Sequence, residues 1–348
     1  ENAASGGEIF QDAKTEICLK MGVLMEAVAT ETKSGETFFE ELGGYWNRLP
    51  DKGLFFILLA AWMSLFYFWG TAELNLSKTP SLFEWMYTAW NQPLMDSSHG
   101  NLVPFVVIGL LWYKRERLAK CRRGVGWVAL PVLALALLLH LFGYLIQQPR
   151  LSIVSLFMGI HCLIGLVWGW EAMKATFFPM VLFAFCLPLE AVLDPYTWRL
   201  RLFSAKATQI IASDALSIRV MVDGTVLRNS HGDAYEVVAA CSGIRSLLAL
   251  LGITIIYAVL NFKSLWKGIL IVLLTIPIAI ACNVLRLVVM IIAAEAVGPR
   301  GAHFVHEWFG FVTYMIALGC VMLVGRLLGG SFKAPKPAPA RTPAYGAI

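Results

Sequence analysis

Residues 268–297 read GILIVLLTIPIAIACNVLRLVVMIIAAEAV, a run of thirty residues with two charges, Arg286 and Glu295. A helix crosses a bilayer with about twenty mostly apolar residues, and in lipid every backbone polar group must be satisfied within the chain. The run therefore predicts a transmembrane helix with Arg286 still inside it, in the outer leaflet. An arginine in a span costs on the order of 3 kcal/mol or more and normally faces a polar cavity or partner. Snorkelling to the outer headgroups is the alternative.

Working outward, seven further apolar segments resemble this one: residues 54–70, 100–113, 126–146, 151–170, 176–193, 242–260 and 307–327. The second is the shortest and contains Pro104; were it re-entrant, seven spans would remain. The 348-residue chain is 58% hydrophobic and 15% charged, with a mean hydropathy of +0.68. The expected fold class is an all-α polytopic integral membrane protein of about eight transmembrane helices. Basic residues crowd the loop after the second segment (Lys114, Arg115, Arg117, Lys120, Arg122, Arg123), recur near Lys174 and between Lys263 and Lys267, and follow the last span at Arg326. Positive loops stay inside, so both termini are expected to be cytoplasmic. One larger outer loop, residues 194–240, is expected to hold an amphipathic interfacial helix near 195–213. A β-hairpin should follow around Asp223 and Gly224, where alternation meets a D-G turn.

Residues 1–50 read as an N-terminal cytoplasmic extension or amphipathic segment and do not resemble a signal peptide. Residues 51–330 form the expected transmembrane domain. Residues 331–348 read as a disordered Pro/Ala tail. The net charge of +5 is distributed as topology determinants, with no nucleic-acid signal. Seven cysteines stand singly, without spacing for zinc or a disulfide framework. No metal or cofactor is expected.

Three reactive residues fall at one depth. Cys241 is twenty residues before Asn261, Arg286 nineteen after Lys267, and His306 twenty before Arg326. Each lies about 30 Å above the inner boundary. Cys241 and His306 are expected at helix beginnings. In E-V-V-A-A-C-S-G-I-R-S, a helix N-terminus and the nearby Arg245 favour the Cys241 thiolate, against the ordinary reading of a membrane cysteine as a small core residue. Arg286 would stabilise that thiolate or an oxyanion, and Asn283, three residues earlier on one helical face, would orient it. His306, one residue before the eighth span, suits a proton shuttle; His303 would be interfacial or exchange roles with it. His99, in S-S-H-G-N-L-V-P, lines a substrate entrance or ends a loop at a helix start. Glu190 and Glu307 are further polar residues near the outer side, whereas His140 and His161 read as packing residues.

The S-H-G-N-L-V-P segment with its basic loop, A-C-S-G-I-R-S-L, N-V-L-R and the late H-E-W-F-G together resemble the exosortase and archaeosortase family of membrane transpeptidases, in order, over residues 54–328. The resemblance implies a cysteine peptidase/transpeptidase of the bacterial inner membrane with its active site toward the periplasm. Its partners would be exported proteins with a C-terminal sorting signal, made of a motif, a transmembrane helix and a basic cluster that binds from the membrane lipid. The family's Cys, Arg and His map onto Cys241, Arg286 and His306. The last follows H-x-x-x-G, which His306 satisfies with Gly310. Cys241 would form a thioester, and an acceptor nucleophile would release the product. Loop 194–240 would bind the motif.

Two other functions compete with this one. A transporter or channel would line a polar path with Arg286, Asn283 and His306. A hydrolase would cleave the same signal and transfer nothing.

Overall fold

The computed structural model describes residues 38–73, 78–92, 98–121, 124–188, 190–228, 234–236 and 244–330. The chain divides into two compact units, Asp51–Lys333 and a second composed of Glu1–Pro50 with Ala334–Ile348. Of the second unit the described part is residues 38–50, helix α1 (Phe38–Arg48) and the two residues after it, with Leu42 and Trp46 exposed one turn apart. The amphipathic stretch at 17–29 and the Pro/Ala tail lie outside the described residues.

The larger unit begins with α2 (Lys52–Phe68), α3 (Leu82–Asn91), α4 (Val103–Tyr113) and the short α5 (Arg115–Ala119). An antiparallel pair follows, α6 (Ala129–Leu145) and α7 (Pro149–Trp168), then α8 (Trp170–Val181), extended by a 3-10 turn over Leu182–Cys186. Pro104 falls in the first turn of α4, where its missing N–H costs nothing and its fixed φ suits helix entry. It starts that helix rather than breaking it. Helix α7 is at the centre of this half: 56% of its apolar window is buried, against 28% for residues 265–297 and 22% for residues 308–327. Close helix approach explains the burial. The Trp62 indole lies on the bare backbone at Gly159 and donates to the Leu156 carbonyl at 3.0 Å, while Phe157 and Phe183 stack at 3.9 Å.

The second half comprises α9 (Glu190–Ile210), a π turn (Ile211–Ala215), strands β1 (Met221–Asp223), β2 (Val226–Arg228) and β3 (Ala234–Glu236), and helices α10 (Ile244–Asn261), α11 (Leu265–Val297) and α12 (Pro299–Leu327). The expected hairpin forms: Asp223 pairs with Val226 across Gly224, at φ +62°, and β3 adds with Val226 opposite Glu236. Leu227 is fully buried, and the Gln209 amide of α9 donates to the Val220 carbonyl at 3.2 Å. The sheet is thus fastened to α9. Helices α10, α11 and α12 pack on one another around two apolar clusters. One joins Leu250, Ile271, Ala279, Ala317 and Val321; the other joins Leu287, Ile291 and Ala302 to α9 and Leu227. Residues between 279 and 287 on α11 separate the two.

Several boundaries differ from expectation. The fifth apolar segment was expected over residues 176–193, but α8 starts at Trp170, immediately after a one-residue turn at Gly169. That turn requires φ +90°, which glycine adopts without a Cβ penalty. The segment ends early because Leu187, preceding Pro188, is extended, as a residue before proline prefers. Glu190 consequently opens α9, instead of lying near the end of a span. Helix α12 begins at Pro299, eight residues before the expected start at 307. Gly298, at φ +81°, breaks the chain after α11, and Pro299 occupies the first helical position. His303 and His306 are therefore within the helix, so His306 is not at its beginning as expected, whereas the stretch apolar enough to cross a membrane starts at Trp308, just after His306. Helix α3, packed through Leu82, Trp85 and Trp90, had no counterpart among the expected segments.

Among the described residues, three helices are long and apolar enough to cross a membrane, at residues 149–168, 265–297 and 308–327, with shorter apolar helices at 52–68, 103–113, 129–145 and 247–261. Apolar side chains left uncovered on α11 and α12, such as Leu273, Leu285, Phe311 and Leu323, suit contact with lipid.

Candidate active site

Between the two apolar clusters, α10, α11 and α12 leave a cleft of about 30 Å³ lined by Leu250, Ala279, Cys282, Asn283, Arg286, Gly310, Thr313, Tyr314 and Ala317. This is room for one or two water molecules. Its α11 wall follows helical periodicity: residues 279, 283 and 286 are spaced by four and three, so all face one side. Gly310, Thr313, Tyr314 and Ala317 repeat the pattern on α12.

The guanidinium of Arg286 rests on the backbone of Gly310. A Cβ at that glycine would stand 3.2 Å from both Cζ and Nη2 of Arg286 and 3.5 Å from Nη1. Arg286 is half-buried and packs into the helix bundle; it does not extend away from it. Asn283, one turn below, is 6% exposed, and its side-chain Nδ2 is buried without a hydrogen-bond partner among the described residues. Thr313 turns its hydroxyl back onto its own helix, donating to the Phe309 carbonyl at 3.0 Å and the Gly310 carbonyl at 3.1 Å. It therefore offers the cleft little donor capacity. Cys282 is a free, half-buried thiol at the cleft wall, a position that the sequence pattern had not singled out.

Cys241 lies outside the described residues; α10 opens three residues later, at Ile244. Arg245 belongs to the first turn of α10. His306 and His303 lie on α12, four and seven residues before Gly310, hence about 6 Å and about 10 Å along the axis from it. His306 is the nearer. The side chains of Arg245, His303, His306 and Glu307 lie outside the description.

His99 sits elsewhere, in a 3-10 turn over Ser98–Asn101 held against the first half of the bundle. Gly100 in that turn lies against the Trp90 indole, 2.5 Å from Nε1 to a Cβ placed there. Trp90 donates to the Cys186 carbonyl at 2.9 Å. His99 is not among the residues lining the cleft. His140 and His161 are buried packing residues, each with a hydroxyl from a neighbouring helix: His140 Nδ1 shares a hydrogen bond with Ser152 at 3.0 Å and His161 Nδ1 with Thr176 at 3.4 Å. Hydrogen bonding of this kind lets a polar ring stay in an apolar interior.

The structure therefore brings together Arg286, Asn283 and Gly310 from two separate sequence motifs, with His306 one turn from their contact. The Gly310 seat itself had only a motif signal in the sequence. A useful further signal is the small residue recurring at 310 and 317, opposite the Ala279–Arg286 face. In comparisons with known proteins, no curated protein and no solved structure matches the chain. The profile of one family, described as transmembrane exosortase (Exosortase_EpsH), matches residues 90–323.

Proposed function

The chain belongs to the exosortase family, multi-pass membrane cysteine transpeptidases that process the C-terminal sorting signals of exported proteins, and on that premise we propose that Cys241, Arg286 and His306 perform the reaction. Membership decides for the enzyme over the transporter. The observation that carries the residue assignment is the seating of the Arg286 guanidinium on Gly310, which joins the N-x-x-R and H-x-x-x-G motifs in one cleft.

In the proposed mechanism, the Cys241 thiolate attacks the carbonyl carbon of the scissile peptide. The carbonyl π pair moves to oxygen, and the resulting oxyanion is held by the Arg286 guanidinium, a fixed cation aimed at developing charge in a site with little water. The intermediate collapses to a thioester as the C–N bond breaks. His306, protonated, gives its proton to the departing amine, which leaves with the substrate's helix and basic cluster. An acceptor nucleophile then loses its proton to His306, attacks the thioester and returns the thiolate.

The path of eight crossings with both termini inside, the active site on the periplasmic side of the bacterial inner membrane, and binding of the recognition motif by residues 194–240 complete the proposal. Loop charge supports the orientation. The sheet, which ends five residues before Cys241, supports the role of the loop. The test is processing of a tagged exported protein of the same organism that ends in an apolar helix and a basic cluster. Cys241→Ala, Arg286→Gln and His306→Ala should each abolish or strongly reduce cleavage. Full cleavage by Cys241→Ala removes the mechanism. The mass of the new C-terminus separates transfer from hydrolysis, since only transfer leaves a conjugate.

A further inference from the structure

The register of the three-stranded sheet fixes which backbone groups face its edges. Asp223 and Val226 pair across a two-residue loop, Gly224 and Thr225, so in this antiparallel ladder they exchange both hydrogen bonds, and Val222 and Leu227 beside them exchange none. Leu227 therefore turns its N–H and C=O toward Tyr235 on β3, its partner in register. By the same alternation Ala234 and Glu236, on either side of Tyr235, hold their N–H and C=O away from β2, at the far edge. The strand order is β1-β2-β3, and among the described residues no strand pairs with β3 on that side. The opposite edge is occupied: Val220 faces the way Val222 does, and its carbonyl accepts from the Gln209 amide of α9 at 3.2 Å. Leu227, fully buried among Ala205 of α9 and Leu287 and Ile291 of α11, fixes the sheet to the helices. One strand edge is thus mounted on the bundle with a donor and an acceptor on each alternate residue.

We propose that the edge of β3 binds the recognition motif of the sorting signal as a fourth strand, through main-chain hydrogen bonds to Ala234 and Glu236. The inference rests on the transpeptidase reading above and deepens it, narrowing loop 194–240 to a docking edge. An extended segment brings its own unpaired N–H and C=O groups and satisfies both rows at once, which is how strand edges take peptides. Chain length ties this edge to the proposed nucleophile. β3 ends at Glu236, and the five residues from there to Cys241 span at most about 17 Å. A strand added beside β3 lies about 4.8 Å from it, so a motif held there is within short reach of Cys241.

The experiment uses full-length enzyme in liposomes with the same tagged exported protein, comparing wild type, Ala234→Pro, Glu236→Pro, Tyr235→Pro and Cys241→Ala. Proline removes an N–H and is tolerated on an edge strand where that N–H faces outward. kcat and KM for cleavage are read, with melting temperature and mass in detergent. Ala234→Pro and Glu236→Pro should each raise KM about tenfold, the cost of leaving one hydrogen-bond partner unmet, with kcat within about threefold and melting unchanged. Tyr235→Pro loses a bond to β2 and should lower the melting temperature. A second measurement keeps the enzyme wild type and varies the substrate, made by semisynthesis with a single N-methyl group at successive residues before its apolar helix. KM should rise at every second position, the period of a strand bonded along one edge.

KM within about threefold of wild type for both outward prolines overturns the proposal. So does an N-methyl series without alternation, which assigns the motif to side-chain pockets. If the outward prolines lower the melting temperature as Tyr235→Pro does, the N-methyl series decides alone. Prolines that turn a dimer into a monomer assign the edge to a second copy of the chain and also overturn it. Failure of the transpeptidase reading looks different, because Cys241→Ala would then still cleave.

Discussion

Adding one methyl group at Gly310 tests whether Arg286 acts from the position seen here. In Gly310→Ala the new Cβ would stand 3.2 Å from Cζ and Nη2 of Arg286, whereas unstrained carbon contacts lie at about 3.5–4.0 Å. Relief comes from moving the guanidinium, the far end of a long side chain, by roughly 0.3–0.8 Å. A misplacement of about 1 Å in an active site costs on the order of 100-fold in rate, so half that distance corresponds to about 10-fold, or about 1.4 kcal/mol in the barrier. Fold stability should hardly change, since alanine gains up to about 1 kcal/mol over glycine inside a helix, against the contact strain. Gly310→Leu, which fills the cleft, should approach the loss seen on removing Arg286. The assay is cleavage of the tagged exported protein in liposomes, with melting in detergent as control. If both Gly310 variants keep kcat within twofold of wild type while Arg286→Gln is inactive, the guanidinium works from somewhere else and the seat is irrelevant.

Three other perturbations probe the surrounding structure. Gly159→Ala places a methyl inside the contact with Trp62 and should destabilise the α2–α7 crossing by about 1–3 kcal/mol, less the helix gain; an unchanged melting temperature in detergent would contradict that packing. Cys282→Ser should retain cleavage within about threefold while Cys241→Ser loses it, because Cys282 lies in mid-helix, without the helix terminus that lowers a thiol pKa; the reverse pattern would move the nucleophile to Cys282. In the basic loop after α5, burial first and the Glu171 carboxylate next hold the Cys121 thiol above its ordinary value, with Arg117 opposing. The thiolate fraction near pH 8 is therefore small, and Glu171→Gln, by lowering that pKa, should speed iodoacetamide labelling of Cys121. No change, or slower labelling, would refute the electrostatic link.

Much of the site could be read in advance, because each motif is local. Arg286 and Asn283 are three residues apart, and any helix through residues 268–297 puts them on one face. Asp223 and Gly224 likewise announce their turn, and the hairpin formed there. The burial of Asn283 could not be read in this way, because whether an amide on that face is covered depends on the neighbouring helices. The start of α12 was also hidden. Hydropathy reports where the stretch apolar enough to cross a membrane begins, at Trp308, but a helix ends where the backbone breaks, here at Gly298 with its positive φ. The nine residues between, 299–307, belong to the helix without belonging to the apolar run.

The sequence by itself determined a bundle of apolar helices with one arginine inside it, because lipid leaves a spanning backbone no other way to satisfy its hydrogen bonds and makes each buried charge conspicuous. Only the tertiary structure decided that this arginine meets Gly310 and that Asn283 is buried beside it in the lining of the same cleft. Rotation and register of α11 against α12 are set by side-chain packing above and below, through Ala279 and Ala317 on one side and Leu287 and Ala302 on the other. Such long-range fit has no signature in the order of residues along either helix.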